Sequence, residues 1–184
     1  MTGSELRERY GLPLIGLHWL TLLLIIAVYA LGTLLEDMPL SPMKLKLYAW
    51  HKWLGLLVLF LLPLRLGVRL AESLEHGAGL TPFEARISAI VHGLLYLLLF
   101  LVPLLGWLHS SAAGFPVVWF GVLPLPDLVG KDKALAKVFE ELHEGSVNLL
   151  VILVVLHAAA ALYHHHVRHD GVLARMVPWL RSKQ

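Results

Sequence analysis

Four apolar segments, each long enough to cross a lipid bilayer, constrain this chain more than any other feature. They run from about residue 14 to 35, 47 to 70, 87 to 108 and 142 to 167. A helix needs about 20 apolar residues to cross a hydrocarbon core of ~30 Å. Of the 184 residues, 58% are hydrophobic and 15% are charged, and the mean hydropathy is +0.72. Soluble domains rarely have this composition. The sequence therefore predicts an all-α integral membrane protein, a four-helix bundle of up-down-up-down topology, in one domain over residues 1–184.

The composition also excludes several classes of function. The chain has no cysteine, which rules out disulfides, iron–sulfur clusters and thiol chemistry. A net charge of +2, with no basic run interleaved with aromatic residues, gives no indication of nucleic-acid binding. The 11 histidines are unusual in so apolar a chain. They are the residues on which a functional prediction depends.

The basic residues predict an orientation in the membrane. If the N-terminus is cytoplasmic, nine basic residues lie on the inner side: Arg7, Arg9, Arg65, Arg69, Arg86, Arg168, Arg175, Arg181 and Lys183. Six lie on the outer side: Lys44, Lys46, Lys52, Lys131, Lys133 and Lys137. This bias favours both termini in the cytoplasm. Residues 110 to 130, rich in Pro, Gly and aromatics, are then predicted as an outer interfacial loop anchored by Trp119 and Phe120. The following KDKALAKVFEEL is predicted as the exposed helical start of the fourth span.

Histidines recur at two depths of the predicted bundle. His143 and His157 are fourteen residues apart on the fourth span, which is close to four helical turns, so both rings leave one face about 21 Å apart along the axis. His51 falls at the outer depth of His143, while His18 and His92 fall at the inner depth of His157. A buried histidine in a membrane is costly without a partner, and such a residue is a functional candidate by default. A single one, such as His92, is more often a helix–helix hydrogen-bonding residue.

Paired imidazoles inside a bundle predict haem rather than zinc. A haem iron takes two axial nitrogen ligands from opposite sides, and helical bundles place such pairs on facing helices. Zinc needs about four ligands, usually including carboxylates or thiolates, and these depths do not supply them. We expect two haems with two histidine ligands each. His51 and His143 would hold the outer one, and His157 with either His18 or His92 the inner one. Together they would carry single electrons across the membrane.

Several motifs resemble one known family when they are taken in order. They are GLHWL around His18, His51 followed by Gly55 and Arg65, HGLLYLL at His92, HEGSVNLLVILVVLHAAAALYHHH, and LARMVP. Over nearly its whole length the chain resembles the bacterial cytochrome b561 family, four-helix dihaem proteins of the inner membrane. The resemblance implies two haems b with His18, His51, His143 and His157 as iron ligands. It favours His18 over His92 as the partner of His157, with His92 the alternative inner ligand.

Within that family the chain is similar to superoxide:ubiquinone oxidoreductases. The resemblance implies that superoxide is oxidised outside and ubiquinone reduced within the membrane. Lys52, beside His51, is then the first candidate to steer the superoxide anion, unless the outer lysines only solvate the rim. The resemblance associates His164 with the quinone site, and histidine can pass protons near neutral pH. Arg65 and Arg69 could pair with inner haem propionates, or could only mark the end of the second span.

Two other functions are compatible with four spans. The chain could be a cytochrome b subunit that relays electrons for a periplasmic enzyme such as a hydrogenase, in which case it would act only in complex. Its short length favours a protein with no obligatory protein partner. A histidine-lined transporter without haem would require carboxylates inside the membrane, and the spans have essentially none.

Overall fold

Four long helices follow one another in the computed structural model, which describes residues 10–72, 80–177 and 179–180. They are α1 (Leu12–Asp37), α2 (Pro42–Ala71), α3 (Pro82–Ala113) and α4 (Lys133–Tyr163). A π-helical turn, His164–Arg168, continues α4, and a 3₁₀ turn follows at Leu173–Arg175. Arg7, Arg9, Arg181, Lys183 and Pro178 of the last motif lie outside the described residues.

Local sequence signals set the start of each helix. Proline occupies the first turn of α1, α2 and α3, where its missing N–H costs nothing. Side chains cap three of the helices: Ser41 accepts from the Lys44 N–H, Thr81 and Glu84 form a capping box, and Asp132 accepts from the N–H groups of Ala134 and Leu135. These caps satisfy backbone donors that a helix leaves unpaired at its start.

The helices alternate in direction, as the sequence predicts. Consecutive helices pack on one another, and His18 near the start of α1 contacts Arg65 near the end of α2. His18 also faces His157 near the end of α4. We call the end at which α1 begins and α4 ends the terminal end. The opposite end, which carries the α3–α4 connection, is the hairpin end.

The outer surface of this bundle is suited to lipid. Each helix contains an 18-residue window with a mean hydropathy of at least 2.0 and no more than two charged residues. Only 11–17% of the residues in those windows are buried. Apolar side chains therefore cover the outside of the bundle, which water would solvate poorly. The predicted bundle of four helices, each long and apolar enough to cross a membrane, is confirmed.

The predicted loop at residues 110 to 130 begins too early. Helix α3 continues to Ala113 and ends at Gly114, which has φ +78°. Ser110 and Ser111 are buried in this last turn because their hydroxyls bond the carbonyls of Phe115 and Trp107. Two short antiparallel strands follow, β1 (Val118–Trp119) and β2 (Leu123–Pro124). The predicted helical start of the fourth span is confirmed, since α4 begins at Lys133.

This hairpin is attached to α2 by two indoles. Trp53 Nε1 donates to the Val118 carbonyl at 2.7 Å, and Trp119 Nε1 donates to the Trp53 carbonyl at 3.1 Å. The Trp119 ring packs edge-on against Phe60 on α2. Trp119, predicted as an interfacial anchor, therefore fixes the loop to the bundle.

A small apolar core divides the bundle at mid-depth. Leu24 on α1, Val58 on α2 and Leu99 on α3 are buried together, with partly buried leucines of α2 around them. These positions lie about midway along the helices between the two predicted histidine levels. The core therefore separates the levels with apolar side chains.

Candidate functional site

The histidine pair at the hairpin end faces across the bundle. The rings of His51 and His143 have centroids 6.3 Å apart and planes inclined by 78°. His51 Nδ1 lies 3.1 Å from the Val28 carbonyl, and His143 Nδ1 lies 2.8 Å from the Val102 carbonyl. A carbonyl can only accept, so each Nδ1 carries the proton and each Nε2 keeps a free lone pair. This is the tautomer that a metal-ligating histidine needs.

Two glycines let these rings lie directly against a neighbouring helix. A Cβ on Gly32 of α1 would lie 3.3 Å from His51 Cε1. A Cβ on Gly106 of α3 would lie 3.1 Å from Cε1 and 3.3 Å from Nδ1 of His143. Contacts this short force the neighbour to move, so a side chain at either position would displace the imidazole beside it.

The terminal end brings three histidines together. His18 and His157 have ring centroids 6.3 Å apart, the same separation as the other pair, whereas His92 and His157 are 5.2 Å apart. His92 Nδ1 is bonded within its own helix to the Ser88 carbonyl at 2.7 Å. His18 Nδ1 lies 2.9 Å from Arg65 Nη2. A guanidinium only donates, so His18 Nδ1 is the acceptor here.

Two arginines of α2 approach the same end of the bundle. The guanidinium carbons of Arg65 and Arg69 each lie 5.4 Å from the ring centroid of Tyr96. Arg65 Nε is buried and has no hydrogen-bond partner. Among the described residues, neither arginine forms an ion pair with a carboxylate. Burying a guanidinium without an anion is costly, and the arrangement therefore suits an anionic group from outside the chain.

His164 lies beyond this level, where α4 becomes a π-helical turn. Its Nδ1 is 2.5 Å from Asp170 Oδ2, and the side chains of His164 and Asp170 are only 15% and 11% exposed. His165 and His166 pack their rings against each other at 4.8 Å. His164 is thus distinguished from its neighbours by a buried carboxylate partner.

The lysines gather at the hairpin end in different environments. Lys52, next to His51, is half-buried, and its Nζ lies 3.4 Å from the Phe115 carbonyl at the start of the hairpin. Lys44 donates to the Met38 carbonyl, and Lys137 pairs with Glu141 at 3.9 Å on the surface. Lys52 is therefore a lysine that adjoins His51 in the sequence and whose ammonium lies against the hairpin.

Comparison with known proteins gives one consistent result. The model of the prokaryotic cytochrome b561 family matches residues 9–179. The chain belongs to the prokaryotic cytochrome b561 family. It is 30% identical over 182 residues to cytochrome b561 homolog 2 of Escherichia coli strain K12, covering 96% of this chain and 95% of that protein. It is 30% identical over 175 residues to cytochrome b561 homolog 1 of the same organism, covering 93% and 98%. The predicted resemblance is confirmed.

Membership identifies a multi-pass protein of the bacterial inner membrane that takes part in electron transfer. The family also implies haem b, and the paired rings of this cytochrome b561 fit it. A bond between an imidazole nitrogen and a metal measures about 2.0–2.1 Å. When two imidazoles bind one metal ion from opposite sides, these two bonds and the distance from each nitrogen to its ring centroid add up to roughly 6 Å between the centroids. Both 6.3 Å pairs match that separation, and the 5.2 Å pair of His92 and His157 is too close.

Unpaired polar atoms support the same fit. Haem carries two propionates, and the partnerless Arg65 Nε is a donor for such an anion. Trp107 Nε1, one residue beyond the Gly106 contact, is also buried without a partner. Among the described residues, no group of three or more His, Cys, Asp or Glu side chains is arranged to hold a metal ion without a macrocycle.

Sequence reasoning missed several residues of this cytochrome b561. Gly32 and Gly106 matter through contacts between helices, which no spacing within one helix reveals. Asp170 is six residues from His164. On a regular α-helix that separation places two side chains on different faces, so they meet only where the helix ends and the chain reverses. The Asp-Gly pair at 170–171 was the available signal, since it is typical of a turn.

Proposed function

We propose that this cytochrome b561 oxidises superoxide at its hairpin end and reduces ubiquinone at its terminal end. Two superoxide anions would give two molecules of dioxygen and two electrons. One ubiquinone would take up these two electrons and two protons to form ubiquinol. The observation that carries the proposal is the pair of 6.3 Å histidine couples, one on each side of the apolar core.

Four histidines would hold the two haems b through Nε2. His51 and His143 form the hairpin-end couple, and His18 and His157 form the terminal couple. Haems held in this way supply one-electron transfer between the two ends of the bundle. Ligation through Nε2 of His18 requires a proton on Nδ1, so Arg65 has to exchange its present bond for another acceptor. A propionate is such an acceptor, and Arg69 lies beside the same tyrosine ring to assist.

Charge segregation supports this orientation. Every described lysine lies at the hairpin end, and every described arginine lies on the terminal half, beyond the apolar core. With the terminal end in the cytoplasm, these arginines lie near the inner ends of the spans and in the segment after α4, where the bias of membrane proteins favours basic residues. The lysines then form a periplasmic field that attracts a small anion. Lys52 is the one held beside His51.

Quinone reduction also needs a proton donor at the terminal end. His164 is seven residues beyond His157, close to two helical turns, and it directly follows the last residue of α4 with helical backbone dihedrals, so it lies near the same side of the bundle as His157. A histidine at this position can hydrogen-bond a quinone carbonyl and deliver a proton to it. His164 is therefore proposed as the catalytic acid.

A relay subunit for a periplasmic enzyme is the second candidate. The hairpin exposes apolar side chains that a partner could cover, with Phe115 64% and Val122 84% exposed. The same side chains suit a membrane interface, which needs no partner. The two functions differ in whether the isolated chain is active.

The deciding experiment uses purified protein in lipid vesicles that contain ubiquinone. An enzymatic superoxide source should reduce the haem α-band and then produce ubiquinol, and superoxide dismutase should abolish both signals. Haem reduction by a periplasmic partner enzyme but not by superoxide would favour the relay subunit.

A pair of histidine variants tests the ligand assignment. His143→Ala should leave one haem per chain and stop superoxide oxidation, because the hairpin-end couple loses one ring. His109→Ala is the matched control, since His109 lies near the same end and bonds the Ala136 carbonyl at 2.9 Å. It should keep both haems. Two haems in His143→Ala would contradict the assignment.

A further inference from the structure

Asp170 and His164 form a buried pair at the terminal end. We propose that Asp170 is a positioning residue that fixes the ring of His164 for proton delivery to the quinone. The proposal rests on the proposed function. It adds a residue whose spacing from His164 would not place the two side chains together on a regular α-helix. It starts from the 2.5 Å separation of Asp170 Oδ2 and His164 Nδ1 and from the low exposure of both side chains.

The fold brings this carboxylate back to the histidine. After the π-helical turn, His169 adopts a left-handed conformation with φ +53°, and Gly171 follows with φ +74°. The N–H groups of His169 and Asp170 both approach the His164 carbonyl. This reversal places an aspartate six residues later next to the ring. A π-helical turn is rare and often marks a functional site.

Contacts on the other side hold the carboxylate in place. Asp170 Oδ1 accepts from the Val172 N–H at 3.2 Å, so each carboxylate oxygen has its own donor. The segment that follows is fixed to α1, because Trp19 Nε1 donates to the Met176 carbonyl at 2.9 Å. Ala174 and Val177 are buried. Asp170 is therefore anchored independently of the histidine.

The surrounding charges leave Asp170 as the direct partner of His164. Glu84 of α3 faces this turn, but it pairs with Arg168 at 3.2 Å and caps its own helix. Tyr163 lies with its ring centroid 6.0 Å from that of His164. Arg175 is the charged residue of the 3₁₀ turn, and His165, His166 and His169 complete the titratable groups of the reversal.

The consequence for chemistry concerns which ring nitrogen is available. Because Nδ1–H donates to Asp170, only Nε2 of His164 can meet a quinone carbonyl. A protonated Nε2 gives its proton to a quinone carbonyl oxygen as an electron reaches the quinone. Nδ1 keeps its own proton and continues to donate it in the hydrogen bond to Asp170. Water at the terminal end then returns a proton to Nε2. Two such transfers, with two electrons, balance one ubiquinol. An aspartate fixes the tautomer of a catalytic histidine in the same way in hydrolytic triads.

Asp170→Asn is the test, because an amide fills the same space but can present N–H instead of an acceptor oxygen to Nδ1. The variant should keep both haems and their reduction by superoxide, while ubiquinol formation falls roughly 10- to 100-fold, the range found when the partners that orient metal-ligating histidines are removed. Asp170→Glu should restore part of the rate. Glu84→Gln, which removes a nearby negative charge without touching Nδ1, should keep the full rate.

Nitrogen-15 NMR of histidine-labelled protein gives a readout independent of turnover. The His164 resonances, assigned with His164→Gln, should show Nδ1–H in the wild type and a shift toward Nε2–H in Asp170→Asn. Unchanged resonances together with an unchanged ubiquinol rate would overturn the role of Asp170 alone. If the wild type itself forms no ubiquinol from superoxide, the proposed function fails, and the quinone role of this pair fails with it.

Discussion

Gly106→Ala is the sharpest test of the hairpin-end site because the structure gives the size of the clash. The new Cβ would lie 3.1 Å from Cε1 and 3.3 Å from Nδ1 of His143. Ordinary carbon–carbon contacts are about 3.5–4.0 Å, so the imidazole has to move by a few tenths of an ångström. The imidazole cannot move freely, because its Nδ1 donates to the Val102 carbonyl at 2.8 Å, and Val102 lies on α3, the helix that carries Gly106.

The expected cost follows from that bond. A neutral hydrogen bond contributes about 0.5–1.5 kcal/mol net, and about 1.4 kcal/mol is a factor of ten in affinity. Loss of the Val102 bond should therefore weaken binding of the haem proposed at the hairpin end by about 2- to 12-fold. The helix itself should gain stability, since alanine is favoured over glycine by about 0.8–1.0 kcal/mol. Weaker haem binding without global destabilisation is the distinguishing result.

The assay is titration of haem into apoprotein in detergent, with the α-band and the low-spin iron signal recorded for each variant. Gly145→Ala is the matched control. Gly145 is two residues from His143 on α4, is exposed, and has nothing within 4 Å of an added Cβ. It should bind both haems with wild-type affinity. If Gly106→Ala matches Gly145→Ala in affinity and spectrum, His143 is not held by the contact described here.

Three further changes probe the rest of the molecule. Lys52→Glu should slow haem reduction by superoxide by ~10-fold at low salt and much less at high salt, with haem content unchanged; Lys137→Glu, on an exposed paired lysine, should change it less. Arg65→Gln should weaken binding of the haem proposed at the terminal end by about 10- to 150-fold, because it removes a hydrogen bond from a charged donor. The same titration measures this affinity. Burial alone would raise the pKa of Asp170, but bonds from His164 and Val172 hold this pKa below its usual 3.8. The difference in stability between the wild type and Asp170→Asn should therefore be complete above pH 3.8 and should shrink as the pH falls through the lowered pKa of Asp170. Thermal unfolding of both proteins at several pH values measures this difference.

The sequence was sufficient to predict the bundle because its signals are local. Twenty apolar residues in a row specify a spanning helix whatever the neighbours are. Histidines separated by whole helical turns specify a common face, and the pairing of His51 with His143 required only the order of the helices. The spans were predicted too short, since polar residues such as Ser110 and Ser111 extend α3 by bonding within the protein.

The remaining features depend on contacts between segments, which spacing along one helix does not encode. Gly106 looks like any other helical glycine until His143 of α4 is placed beside it. Arg65 was proposed to bind a propionate, but its bond to His18 was not predicted. The resemblance favours His18 over His92 as the partner of His157, and the separations of 6.3 Å and 5.2 Å between the ring centroids support that prediction, but spacing along one helix could not supply these distances.

The two ends of the bundle differ in a way that gives the proposed electron transfer a direction. At the hairpin end, both histidines are fixed by backbone carbonyls, and the nearby lysine is held by a loop that indoles attach to α2. Such a site is suited to accepting an electron from a small anion without moving a proton. The terminal end instead holds one buried guanidinium N–H without a partner, Arg65 Nε, and a histidine bonded to an aspartate lies just beyond it. Proton-coupled chemistry needs such groups, and the arginines lie on the same side, which is the side proposed to face the cytoplasm. Oxidation without protons at one end and reduction with protons at the other therefore accounts for both sets of residues, whereas a simple relay would require only the paired histidines.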